Sequence, residues 1–258
     1  MPEGHLLHAF AERIRTDLAG QQVRASSPQG RFDAAPLDSR RLTDVRAVGK
    51  HLLYEVEDAP ALHVHLGMRG LFLRYADPTT APRAGTRLRL SGPDVAWDLI
   101  APATCELLDA AGLNRLLAGL GPDPLGPDDP DAAVRALRAS RGPVGAALLD
   151  QSVWAGVGNA WRAELLYLAR LHPATPCADL TESQATGLWE LTRRMMALGR
   201  DQEQVVSDPA APDERWVYKR ETCRGCAAAV RTAPIAGRTA HWCPVEQAES
   251  PRATRRPG

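Results

Sequence analysis

The sequence predicts an α+β protein, with an N-terminal helix and β-sandwich followed by a helical domain and a compact cysteine-bearing segment. Three observations carry that prediction. Apolar periodicity is helical up to Gly20, alternates over residues 21–105, and turns helical again after Asp131. The stretch from Gly121 to Pro130 has too much Pro and Gly for regular structure and divides the chain. Of the five cysteines, Cys223, Cys226 and Cys243 gather near the end. An odd number of cysteines argues against a disulfide framework and for a metal or free thiols.

In the first helix Leu6, Leu7, Phe10, Ile14 and Leu18 share a face, and Gly20 is placed to end it. Short strands follow over residues 22–25, 51–56, 62–66, 70–75, 87–90 and 95–99, with Gly, Pro and Asp in the connections. Several alternate apolar with polar, the pattern of a sandwich or barrel with one face buried. After the linker, helices are predicted over residues 132–139, 144–151, 161–169 and 181–199. Pro143 stands in a first turn, and Thr181 with Gln184 makes a capping-box pair. Residues 201–214 read as loop. The expected domains are residues 1–120, a linker 121–130, a helical domain 131–214, the cysteine segment 215–247 and a disordered tail 248–258.

Hydrophobic content of 44% suits a globular protein with a sizeable core, and no apolar run approaches the roughly 20 residues of a membrane span. The N-terminus lacks the basic-then-apolar pattern of a signal peptide, so a cytoplasmic location is expected. Formal net charge is +0, yet Arg215, Lys219, Arg220, Arg224, Arg231 and Arg238 face the single acid Glu221 between residues 215 and 240. That local excess is the kind of footprint a nucleic acid requires.

Met1-Pro2-Glu3 carries the strongest chemical suggestion. With Met1 removed, the chain begins with a secondary amine of pKa about 8, against about 10.4 for lysine. Such an amine can attack an electrophilic carbon and form an iminium, and Glu3 beside it can move protons. Taken alone, the same residues are most often just an ordinary N-terminus, and with Met1 retained the Pro2 nitrogen is an unreactive amide. Lys50 stands at a strand entrance, where a solvated lysine is the common outcome. Asn159, after Gly156-Val157-Gly158, is either a plain helix cap or part of a phosphate-binding helix start. Cys223-x2-Cys226-x16-Cys243 has zinc-ribbon spacing for three ligands. Three residues after Cys243 stands Glu246, which can ligate through oxygen; His241 is a second candidate, and packing without metal is the third reading. Cys105 and Cys177 lie far off and read as structural.

Four separated pieces together resemble the formamidopyrimidine-DNA glycosylase / endonuclease VIII family of base-excision repair enzymes, and its endonuclease VIII-like branch in particular. They are Met1-Pro2-Glu3, Val48 to Leu53, Leu149 to Asn159, and Gly237 to Pro244, in the family's order along nearly the whole chain. The resemblance implies a β-sandwich behind a catalytic helix, then a helix-two-turns-helix domain ending in a zinc-finger hairpin. It implies a bifunctional DNA glycosylase and AP lyase acting as a monomer on damaged double-stranded DNA. By resemblance Pro2 is the nucleophile, Glu3 manages protons, Lys50 contacts phosphate and assists β-elimination, and Arg238 binds the phosphate at the lesion and assists δ-elimination. Asn159 would hydrogen-bond the DNA backbone, and Met68 in His65-Leu66-Gly67-Met68-Arg69-Gly70 would fill the gap left by the everted base, a place it contests with an ordinary core methionine. Cys223, Cys226, Cys243 and Glu246 would hold one structural zinc.

The chain departs from the family at Leu99 to Cys105, which lacks the Arg and Phe partners of the wedge, and at His5, where many relatives have Pro. The Pro-Glu-Gly start and the short stretch 200–215, where the family's purine-specific branch has a longer loop, resemble the endonuclease VIII-like side, and that resemblance implies oxidised pyrimidines as substrates. Oxidised purines, or damaged-DNA binding with weak catalysis, are the alternatives; a zinc-dependent hydrolase would need an open His or carboxylate site that a Cys ribbon lacks.

Overall fold

In the computed structural model, which describes residues 2–248, Leu7, Ala11, Ile14 and Leu18 are buried along one face of helix α1 (Gly4–Leu18). That face joins a core built from alternate residues of the strands: Leu52 and Tyr54, Leu62 and Val64, Leu88 and Leu90, Trp97 and Leu99. Each such side chain contributes roughly 1.5–3 kcal/mol on burial, which is why the two-residue period decides which face turns inward. Asp17 fixes the end of the helix. Its carboxylate accepts from Arg74 Nε at 2.7 Å and from Trp97 Nε1 at 2.8 Å, and the bond from Arg74 holds its pKa below the usual carboxylate range.

Eight antiparallel strands form the sandwich: β1 (Gln22–Ser26), β2 (Arg40–Val48), β3 (His51–Val56), β4 (Ala61–His65), β5 (Leu71–Tyr75), β6 (Thr86–Ser91), β7 (Ala96–Ile100) and β8 (Thr104–Leu108). Their order is β5-β7-β6-β1-β2-β3-β4-β8. β1 and β2 share only the pairs Gln22↔Arg41 and Val23↔Arg40, so the sheet divides there into two halves over one core. Strands β2 and β8 and the short helix α2 (Ala110–Ala118) were absent from the sequence-based outline. In β2 the run Arg40-Arg41-Leu42-Thr43-Asp44-Val45 is too polar to signal a strand, though Leu42 and Val45 are fully buried.

The chain divides into two compact units at Ala118/Gly119. The second contains α3 (Pro130–Ala139), α4 (Val144–Ala147), α5 (Asn159–Leu168), α6 (Glu182–Asp201) and a two-stranded hairpin, β9 (Arg231–Ile235) with β10 (Arg238–Trp242). Its core is centred on Trp154, Trp161 and Trp189. The Thr181–Gln184 capping box forms at the start of α6 as predicted, and Pro143 stands at the N-cap of α4; α3 begins two residues earlier than expected, with Asp129 as its cap and Pro130 in its first turn. Helix α4 is shorter than expected, because Gly145 N–H bonds to Pro173 O and the chain turns after Leu148. The Gly121–Pro130 stretch has no helix or strand before Pro130 but is tied down, with Gly121 N–H on Gln151 O and Ala155 N–H on Pro122 O. Residues 202–214 carry no regular element, as predicted. The expected tail lies, from residue 249 on, outside the described residues, as does Met1.

Candidate functional site

Pro2 and Glu3 lead directly into α1, with Glu3 at its N-cap and 2% exposed. The helix lies against β2 and β3, whose connecting loop is Gly49-Lys50. Val48 pairs with His51, leaving a two-residue hairpin turn with Gly49 at φ 57 and Lys50 second. A glycine at that first position suits a type II′ turn, so the turn chemistry explains how Lys50 comes to project from a strand end.

Beside Lys50 lies a polar network on the sheet face opposite the core. His51 Nδ1 and His63 Nε2 are 2.8 Å apart, and His63 Nδ1 reaches Glu106 Oε1 at 2.9 Å. The register produces this contact, since His63 stands opposite Glu106 and His51 opposite His65. Burial, then the charges of His65, His63 and Lys50, lower the His51 pKa to about 4; burial, then Lys50 and His63, lower that of His65. Both rings are therefore neutral at pH 7. His65 Nδ1 accepts from Gly67 N–H, which shapes the turn carrying Met68. Met68 is 67% exposed, so the core-methionine reading is excluded. A side chain at Gly67 (φ 65) would sit 2.6 Å from Ala103 Cβ, so this turn abuts the Leu99–Cys105 stretch, whose small residues leave room only for glycine. His5 is buried in α1.

In the second unit Asn159 and Arg238 do come together. With Tyr218, Lys219, Gly237, Thr239 and His241 they line an open hollow of about 440 Å³. Arg238 begins β10 directly after a turn with Ala236 at φ 51 and Gly237 at φ 69, the type I′ geometry that closes a tight hairpin. Asn159 opens α5 and donates from Nδ2 to Thr239 O at 3.1 Å. The hollow therefore combines a helix N-terminus with cations, an arrangement that suits an anion. His241, weighed above as a metal ligand, belongs to this hollow and not to the cysteines; burial, then Arg162 and Lys219, lower its pKa. Two residues here escaped the sequence reading. Arg162, 1% exposed, contacts Asn159 and the hairpin, and Glu164, fully buried, accepts from the backbone N–H groups of Trp216, Val217 and Tyr218. Nothing local in Trp161-Arg162-Ala163-Glu164 distinguishes them from charged residues on a solvated helix face.

The Sγ atoms of Cys223, Cys226 and Cys243 all lie within 4.8 Å of one another, and Cys226 and Cys243 are 3.4 Å apart. Tetrahedral zinc with Zn–S near 2.3 Å needs edges of about 3.8 Å, so three corners fit a metal. Glu246 does not join them. Its carboxylate pairs with Arg170, and only its backbone N–H reaches Cys243 Sγ, at 3.4 Å. Tyr167 Oη lies 3.7 Å from Cys223 Sγ instead. Burial, then the neighbouring Cys226 thiol, pushes Cys243 up to about 12; a bound cation would reverse that, because thiolate is the ligating form. Gln247, the residue after Glu246, fastens the chain by accepting from Cys243 N–H and donating to Leu171 O.

Residues 1–97 match the formamidopyrimidine-DNA glycosylase N-terminal domain, and residues 120–207 match the H2TH domain of the same enzymes. A curated relative from Mycobacterium tuberculosis, "Endonuclease 8 1", is 38% identical over 267 residues, covering 96% of this chain and all of the relative. The chain belongs to the formamidopyrimidine-DNA glycosylase / endonuclease VIII family. Another member, the "DNA-(apurinic or apyrimidinic site) lyase Nei2" of Mycolicibacterium smegmatis, is 32% identical over 257 residues, 97% of this chain and 100% of its own. Among solved structures, Lactococcus lactis Fpg in complex with abasic-site DNA superposes with a TM-score of 0.80 at 25% identity, covering 96% of this chain and 100% of that one. Membership in the formamidopyrimidine-DNA glycosylase family makes this protein a DNA-repair enzyme of the glycosylase and AP-lyase type, with DNA as its partner. The family's N-terminal helix, sandwich, H2TH helices and terminal hairpin are all present.

Proposed function

We propose that this enzyme excises oxidised bases, pyrimidines in preference, and then cuts the abasic strand by β,δ-elimination through a Schiff base on Pro2. Once Met1 is removed, the lone pair of the Pro2 nitrogen attacks C1′ of the everted nucleotide. The C1′–N bond to the base breaks and the base leaves with a proton. Glu3, buried at the helix start, moves protons between ring oxygen, leaving group and solvent as the sugar opens to an iminium. Loss of a C2′ proton, assisted by Lys50, expels the 3′ phosphate. A second elimination, assisted by Arg238, expels the 5′ phosphate, and water releases the sugar remnant from Pro2, leaving a one-nucleotide gap. Asn159 and Arg238 hold the DNA backbone, and exposed Met68 enters the space of the extruded base. The reading of substrate draws on the "Endonuclease 8" relative and on the Lactococcus lactis neighbour, whose complexes include one with oxidised-pyrimidine DNA. One structural zinc on Cys223, Cys226 and Cys243 would stiffen the hairpin, with Glu246, by its sequence position, exchanging Arg170 for the metal as fourth donor. A cytoplasmic enzyme working on the nucleoid fits the absence, among the described residues, of any helix able to cross a membrane.

The observation that carries this reading is the meeting of Asn159 and Arg238, far apart in sequence, in one basic hollow that also holds Lys219. Borohydride trapping on an abasic duplex tests it. Protein with a free Pro2 should form a covalent adduct, and a Met1-retaining preparation verified by mass spectrometry should form none. Trapping by the Met1-retaining form would overturn Pro2 as nucleophile. Tight binding without trapping by the processed form would instead favour a damage-binding protein.

A further inference from the structure

An asparagine amide can offer an anion either its oxygen or its N–H groups, and only the second is attractive. At Asn159 the choice is made by Arg162, one helical turn along α5. Arg162 Nη2 donates to Asn159 Oδ1 at 2.5 Å, so the amide oxygen is engaged by a group that has no acceptor of its own. The Nδ2 side then faces the hairpin, where it meets Thr239 O.

The same guanidinium spans the hairpin turn. Nη1 donates to Ile235 O at 3.1 Å and Nη2 to Arg238 O at 3.3 Å, the two residues that flank Ala236-Gly237 and pair with each other. A further bond from Nη1 reaches Gly145 O at 3.2 Å in α4. One side chain, 1% exposed, thus ties α4, the start of α5 and both ends of the β9–β10 turn together. The task needs a rigid planar fork; a lysine carries the same charge on one rotatable point and cannot span those acceptors.

We infer that Arg162 is a positioning residue for DNA-phosphate binding: it turns the N–H side of the Asn159 amide toward the hollow, one N–H on Thr239 O and the second left to face an anion, and fixes the backbone from which Arg238 projects. This rests on the reading of Asn159 and Arg238 as phosphate contacts. A buried arginine that merely stabilised the unit would affect binding independently of those two side chains, and the test turns on that difference.

Affinity of the full-length protein for a duplex carrying a tetrahydrofuran abasic analogue is measured by anisotropy for Arg162→Lys and Arg162→Gln. Each is made in the native background and in one with both Asn159→Ala and Arg238→Ala. Arg162→Lys, despite keeping its charge, should bind about tenfold more weakly, the scale of one charge-assisted hydrogen bond. In the doubly substituted background the same change should cost less than about twofold, because the groups it positions are gone. Native affinity for Arg162→Lys, or an undiminished loss in the doubly substituted background, overturns the inference. If Asn159→Ala and Arg238→Ala themselves bind at the native level, the phosphate reading fails, and Arg162 with it. Should the Arg162 variants not fold, nitrogen NMR of the unsubstituted protein decides. Slowly exchanging, separately resolved Arg162 Nη protons before DNA is added support a preformed clamp, and rapidly averaged ones overturn it.

Discussion

Glu3 and Lys50 sit in environments that call for opposite behaviour. Glu3 is almost fully buried at the start of α1, and Lys50 projects from a two-residue turn. Glu3→Gln keeps the shape and removes the ability to exchange a proton. Base release should fall on the order of 100-fold, the usual scale of general acid–base catalysis, while cleavage of a preformed abasic site falls far less. Equal loss on both substrates, in single-turnover assays scored separately, would refute that division. Lys50→Ala should slow elimination and make the dependence of log affinity on log salt shallower by about one, the loss of a single phosphate contact. A salt slope identical to the parent's would remove Lys50 from the DNA. At this scale the motifs singled out Pro2, Glu3, Lys50, Asn159 and Arg238, and of these the structure brings Asn159 and Arg238 into one hollow. The sequence was silent on Arg162 and Glu164, whose bonds to the hairpin and to the loop reach more than 40 residues along the chain and leave no trace in local periodicity. Glu246 was placed by counting three residues from Cys243, but spacing does not determine where a long side chain turns, and here it meets Arg170.

Elements were legible in proportion to the purity of their pattern. Strands β3, β4, β6 and β7 alternate or run apolar and were located within a residue or so; β2, with four charged side chains among nine residues, was invisible. The β3–β4–β8 segment also has a pH response that follows from its register. His51 titrates near 4 in the fold against about 6.5 free, and His65 is lowered in the same direction. The native state therefore binds fewer protons than the unfolded chain between those values. Stability from this segment is complete above about pH 6.5 and is lost as pH falls toward 4. The urea midpoint of the first unit should drop across that window, and His51→Gln should flatten the drop; an unchanged profile in the variant would assign the sensitivity elsewhere. In the second unit, α5 anchors the segment after residue 206 through Glu164, which also accepts from Ser207 Oγ. Glu164→Ala would strand several buried donors and should cost about 3–5 kcal/mol in denaturant unfolding of that unit, with the first unit unaffected. A loss below about 1 kcal/mol would mean that water replaces the carboxylate.

At the scale of the whole molecule, the order of parts is legible in the changes of period, while the division at Ala118/Gly119 comes from which residues share a core. Two cores imply two unfolding transitions that respond separately to perturbation. The cysteine cluster belongs to the second unit, joined through Tyr167 and Val217 to helix α5 and the 215–218 segment. A metal held there stabilises only that unit, because the ligand binds the folded state alone. Chelation should therefore lower the second transition on the order of 10 °C, and calorimetry should show the first transition unmoved. Glu246→Cys would supply a thiolate in place of a carboxylate that now meets Arg170. It should raise zinc affinity and widen the gap between chelated and metal-loaded melting, leaving AP-lyase rates on abasic DNA within about twofold, since a structural ion takes no part in the eliminations. One zinc per chain by elemental analysis in the unsubstituted protein, lost with the second transition on chelation, is the expected result. An unsubstituted protein and a Glu246→Cys variant that both purify without zinc and melt identically with and without chelator would show that packing of Tyr167, Trp216 and the three thiols holds the hairpin unaided.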